Sequence, residues 1–89
     1  MPHFVIDYSK SIIALKSPKE IMQKVYDTAE STQLFYVGDI NVGINPFKHY
    51  NIGNTKNDFI HIFANIMEGR TVAQKSYLSR HIVSELEYL

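Results

Sequence analysis

Two positions in this sequence have residue types suited to chemistry. The first is Pro2, which follows the initiating methionine. Methionine is usually trimmed before a small residue, which leaves proline first and its nitrogen a secondary amine in a rigid ring. Ordinary α-amino groups titrate near about 7.7 to 8.0, and an apolar pocket lowers that further by disfavouring the charged form. Such an amine can act as a general base near neutral pH. Many chains begin Met-Pro with no such role, so Pro2 needs context from the rest of the sequence. The second is Arg70, one residue before Thr71, which reads as a helix cap. Free amide groups at a helix N-terminus attract anions, and a neighbouring guanidinium can grip a carboxylate in bidentate fashion. The plainer reading of Arg70 is a solvated turn residue.

Other candidates carry less. His61 falls in the middle of a strand-like segment and His3 beside the N-terminus. No His-x-x-x-His or His-x-Glu pattern sets two ligands at metal spacing, so both read as packed or surface histidines. Ser9, Ser11, Ser76 and Ser79 lack the context of a nucleophile elbow. Gly38 and Gly43 do not form a phosphate-binding loop. A serine-hydrolase or nucleotide-binding reading therefore has no support in these residues, and no metal site is read from them.

Composition narrows the classes further. The chain has 89 residues, 45% of them hydrophobic and 20% charged, which fits one small globular domain over residues 1–89. Nine basic and nine acidic side chains cancel. That argues against nucleic-acid binding driven by charge. The absence of cysteine removes disulfides, thiolate zinc sites, iron–sulfur clusters and a cysteine nucleophile. No apolar stretch approaches the roughly 18 residues of a membrane span. The start Met1-Pro2-His3-Phe4 has no basic region and no long apolar run. It does not read as a signal peptide, and a cytoplasmic address is expected. A domain this size buries only about 60% to 65% of its unfolded surface. Oligomerisation is the expected extra source of stability.

The elements that must position these residues follow from periodicity. Phe4 to Tyr8 alternates as a strand, with Phe4, Ile6 and Tyr8 on one face. Ser9 to Leu15 reads as a connection. Ser17, Pro18 and Glu20 make a helix start with a capping box. Met22, Val25, Tyr26 and Ala29 form its inward stripe, and the helix ends near Ser31 to Gln33. Leu34 to Val37 is apolar, and Gly38-Asp39 reads as a turn. Ile40, Val42 and Ile44 form a second strand ended by Asn45-Pro46. Lys48 to Asn57, with Gly53-Asn54 inside it, reads as an exposed loop. Phe59 to Met67 is a third strand, apolar on both faces and so expected to be covered on both. Glu68-Gly69-Arg70 reads as a turn. Thr71 with Gln74 gives a second capping box, and Leu78, Ile82, Leu86 and Leu89 follow at helical spacing with Tyr77. The order is strand, helix, strand, then strand, helix. It reads as two β-α-β units, the second lacking its closing strand.

Met1-Pro2-His3-Phe4, Asn57-Asp58-Phe59-Ile60-His61-Ile62 and Glu68-Gly69-Arg70-Thr71, in that order and spacing, resemble the 5-carboxymethyl-2-hydroxymuconate isomerase family of the tautomerase superfamily. The resemblance runs, with gaps, over essentially the whole chain. It implies an α/β (α+β) fold with the strands of two β-α-β units in one sheet and helices on one face. It implies a homotrimer whose three sheets line a central barrel. The implied reaction moves a proton between enol and ketone forms of an unsaturated carboxylic acid without a cofactor. Pro2 would be the base, and Arg70 matches the arginine that holds a substrate carboxylate.

Three departures bear on that implication. A further family arginine in the second strand is matched by Asn41, which can donate a hydrogen bond but carries no charge. Phe59 and Phe63 are lesser candidates for the pocket. Family members continue past the second helix into another strand, whereas this sequence stops at Leu89. A retained Met1 would make the Pro2 nitrogen an amide and remove the base. The competing expectation is a truncated, catalytically inactive protein of this fold with a structural or interaction role. Dehalogenation or hydration of an unsaturated acid is a third.

Overall fold

A computed structural model describes residues 2–36, 38–49, 51, 59–66 and 70–87. The first strand, β1 (His3–Ser9), is the middle of a three-stranded sheet. β2 (Asn41–Phe47) lies parallel to it on one side, and β3 (Ile60–Asn65) antiparallel on the other. Two helices, α1 (Pro18–Ser31) and α2 (Val72–Glu87), follow β1 and β3. The alternation in β1 divides the sheet into two faces. Phe4, Ile6 and Tyr8 are fully buried, against Ile21, Val25 and Ala29 of α1 and Leu78 and Ile82 of α2. His3, Val5 and Asp7 point the other way, to a face that neither helix covers.

Both helix starts fall where their sequence signals put them, α1 with the Ser17 half of its capping box and α2 with both halves. The Ser17 hydroxyl accepts the Glu20 N–H at 3.2 Å, and Pro18 occupies the first turn, where its missing N–H costs nothing. At α2 the capping box closes in both directions: Gln74 N–H donates to Thr71 Oγ1 at 3.1 Å, and Thr71 N–H to Gln74 Oε1 at 2.8 Å. The buried stripe of α1 is Ile21, Val25, Thr28 and Ala29, with Met22 and Tyr26 at its margin. In α2, Leu78 and Ile82 are buried, Leu86 is half-buried and Tyr77 is exposed. The connection after β1 is a 3-10 turn, Lys10–Ala14, in which Ile12 C=O accepts from Leu15 and Lys16 at 2.8 and 3.0 Å.

Three expectations need correction. First, β2 runs through Pro46 to Phe47 instead of ending at Asn45-Pro46. The Asn41 N–H donates to Pro2 C=O at 3.0 Å, so the odd residues of β2 turn their N–H groups toward β1. Pro46 therefore has its ring nitrogen on the outer edge, where a ladder donor is not needed. Second, the third strand is not covered on both faces by this chain. Ile60 is 37% and Phe63 47% exposed, and only Ile62 is half-buried within it. Third, the ladder spans Ile60–Asn65 where a strand from Phe59 to Met67 is expected. Residues 52–58, 67–69 and Leu89, including the Gly53-Asn54 and Glu68-Gly69 signals, lie outside the described residues.

Candidate active site

The site residues come from both halves of the chain. Pro2 is buried where β1 begins, and its carbonyl is held by the Asn41 N–H. Two residues on, the buried Phe4 ring stands edge-on to Phe35, with centroids 6.1 Å apart and planes at 79°. Phe35 lies between α1 and β2, beyond the end of α1. Arg70 arrives at the same ring from the second half, its guanidinium carbon 5.2 Å from the Phe35 centroid. Its Nη2 donates to Leu34 C=O at 2.5 Å. The cause is local: Arg70 directly precedes the capping box that starts α2. Leu78 and Ile82 dock that helix onto the shared core, so its first turn reaches the chain leaving α1.

A guanidinium presents five N–H donors in one plane. The bond to Leu34 uses one, and the Phe35 face fixes the plane. This arrangement suits bidentate recognition of a carboxylate, and lysine could not reproduce it.

Asn41 is joined to Pro2 through the backbone, yet its side chain leaves on the other face. It pairs with His3, which pairs in turn with Asn65, and all three are exposed on the side away from the helices. The structure thus brings Phe4, Phe35 and Arg70 together, with Pro2 two residues before Phe4. It places Asn41 beside them, across the sheet. Phe63 lies on the same outer face as Asn41, 4.4 Å from His61 between ring centres. Phe59 is at the far end of the sheet, beside Ser9 and 6.0 Å from Phe47. Sequence reasoning missed Phe35 and Leu34. The only signal was an apolar run after the first helix.

A groove of about 930 Å³ opens between β3 and α2, walled by Ile62, Ala64, Leu78 and Ile82 among others. Pro2, Asn41 and Arg70 do not line it. Among the described residues, no group of three or more histidine, aspartate or glutamate side chains could hold a metal ion. No helix among them is long and apolar enough to cross a membrane.

The sequence profile of 5-carboxymethyl-2-hydroxymuconate isomerase matches residues 2–88. The chain belongs to that family. No curated protein sequence matches it. Among solved structures, a 5-carboxymethyl-2-hydroxymuconate isomerase from Deinococcus radiodurans R1 superposes with a TM-score of 0.81 at 21% identity, covering 96% of this chain and 66% of that one. A 5-carboxymethyl-2-hydroxymuconate delta-isomerase gives 0.84 at 23% identity, covering 100% of this chain and 70% of the other. A third, Pt0534 inactivated by 2-oxo-3-pentynoate, gives 0.80 at 17% identity over 93% and 69%. These likenesses establish the fold. The chain spans about two thirds of the length of these relatives. Within the 5-carboxymethyl-2-hydroxymuconate isomerase family, the match beginning at residue 2 takes in both Pro2 and Arg70.

Proposed function

We propose that the protein is a cofactor-independent enol–keto tautomerase acting on a 2-hydroxymuconate-like unsaturated carboxylic acid. Pro2, freed by removal of Met1, is its general base. Pro2 is buried at the start of β1, and a free secondary amine can serve as a general base. The nitrogen takes the proton of the 2-hydroxyl and the resulting ammonium returns it to a distal carbon of the dienol. Arg70 holds a substrate carboxylate, and its charge stabilises the dienolate between the two transfers. Asn41 contributes a neutral hydrogen bond at the rim. The observation that carries this reading is the cluster in which Phe4 and Phe35 bring Arg70 to the end of the sheet that holds Pro2.

The working form in this proposal is a cytoplasmic homotrimer. Its sheets meet through the face bearing Val5, Phe47 and Phe63, which the helices of one chain leave uncovered. Burying those side chains would add stability that a core this small lacks.

The test begins with an intact mass of the protein from its own source, expected one methionine below the 89-residue sequence. Ketonisation of 2-hydroxymuconate is then followed by absorbance, with loss of turnover expected in Pro2→Ala. Full activity in that variant would overturn the proposal. A structural, non-catalytic role is the second reading, and it draws on the uncharged Asn41. No turnover by the wild-type chain across several enol acids, with Met1 removed, would favour it.

A further inference from the structure

Two chain segments meet at Arg70. On one, the Thr71 side chain is engaged in the capping box with Gln74. On the other, residues 34–36 form a short strap. Leu34 C=O accepts from the guanidinium, and Leu34 N–H donates to Thr32 Oγ1 at 3.4 Å. That hydroxyl donates in turn to Ala29 C=O at 2.6 Å. Phe35 stands edge-on to Phe4 and beneath the guanidinium. Tyr36 C=O accepts the Asp39 N–H at 3.1 Å. The strap is thus tied at both ends with its central ring clamped, yet the Tyr36 side chain is 84% exposed.

One exposed aromatic is ordinary by itself. The backbone around this one is not. Gln33 has φ 59° and Gly38 φ 86°, the two left-handed residues among those described, and they bracket the strap. A left-handed glutamine costs energy and persists only where surrounding contacts impose it. Such positions cluster at active sites and ligand clamps. Here the imposed bend seats the Phe35 ring under Arg70 and leaves the next side chain standing in water.

Taking Arg70 as the carboxylate anchor, we propose that Tyr36 is the specificity residue of that anchor. It folds over the bound acid, its hydroxyl donating to the carboxylate and its ring lying against a planar conjugated chain. Consecutive Cα atoms are about 3.8 Å apart, so Tyr36 starts one residue from the ring that carries the guanidinium. A tyrosine side chain turns about few dihedral angles and gives up little entropy when it docks. Its hydrogen bond is strengthened because the acceptor is charged. A flat dienoate meets the ring along its length. A puckered saturated chain touches it at a few atoms, and dispersion falls off steeply across the remaining gaps. The site therefore selects conjugated over saturated acids of equal length and charge, a discrimination that Arg70 alone does not make.

The test is calorimetric titration of the full chain with trans,trans-muconate and with adipate, the saturated acid of the same length and charge. Wild type should bind muconate about tenfold more tightly than adipate, or better. Tyr36→Ala should bring the two affinities within about twofold of each other, mainly by weakening muconate. Tyr36→Phe should keep the preference and weaken both acids several-fold, since only the hydroxyl is lost. Because the side chain is 84% exposed, the urea midpoints of both variants should match wild type. A preference retained in Tyr36→Ala, or equal binding of the two acids by wild type, would overturn the proposal. Arg70→Gln should abolish binding of both acids, and unchanged binding there would overturn the anchor and the Tyr36 role together. Turnover is read separately. A chain that shows the Tyr36-dependent preference but does not ketonise 2-hydroxymuconate supports the Tyr36 role and defeats the tautomerase reading.

Discussion

Arg70 lies with its guanidinium carbon 5.2 Å from the centre of the Phe35 ring, so a side chain that leads into α2 is oriented by one just beyond α1. The ring face attracts the cation, and the Leu34 carbonyl at 2.5 Å holds its plane. A planar fork makes both contacts and still leaves paired N–H donors for a carboxylate. Arg70→Lys keeps the charge and loses the plane. It should lower kcat/KM for a 2-hydroxydienoate by about tenfold or more. Phe35→Leu keeps the apolar volume and removes the ring face, so it should act mainly on KM. Steady-state kinetics of the two variants check this. Wild-type constants in Arg70→Lys would place the substrate carboxylate elsewhere.

The chain leaves α1 through Gln33, whose φ of 59° is left-handed. A side chain there costs about 1 to 2 kcal/mol relative to right-handed backbone, and glycine removes most of that cost. Gln33 is exposed, so its side chain contributes little packing. Gln33→Gly should therefore stabilise the fold, by about 0.5 to 1 kcal/mol after the entropy of the unfolded glycine is counted. Urea unfolding with an unchanged m-value would show it.

Much of the fold was legible because it is locally encoded. The Ser17 cap and the Thr71 capping box act within four residues, and the alternation of β1 marks its buried face directly. What was not legible depends on partners distant in sequence. Pro46 reads as a strand end until the Pro2–Asn41 bond shows its nitrogen on an open edge. The apolar faces of β3 signal burial, but this chain does not supply it. At the site, Pro2 and Arg70 were visible as residue types. The contact of Leu34 with Arg70, 36 positions apart, was not, because no periodicity connects them.

The proposed base makes a chemical prediction independent of turnover. An acid whose ketone is conjugated to an alkyne is an electrophile, and a free secondary amine adds to it. Such a 2-oxo-alkynoate should add once, with the mass increment on the peptide beginning at Pro2. A chain that keeps Met1 should stay unlabelled there, since an amide nitrogen is not a nucleophile. Peptide mapping after incubation decides it, and modification of Lys75 or His61 in place of Pro2 would count against the proline base.

Asn41 allows the sharpest test of where the substrate lies. Its side chain projects from the start of β2 onto the outer face with His3 and Asn65, and it is exposed. An arginine there loses little packing, so Asn41→Arg should change stability by less than about 0.5 kcal/mol. If the substrate reaches round the sheet end from Arg70, the second guanidinium meets its distal carboxylate. A charge-assisted hydrogen bond is roughly twice as strong as a neutral one. KM for a dicarboxylate should then fall about tenfold, while KM for a monocarboxylate stays near its wild-type value. That difference separates a specific contact from a general rise in positive charge, which would favour both acids. Identical constants for both substrates in Asn41→Arg would confine the site to the helix side of the sheet, with Arg70 as its cation.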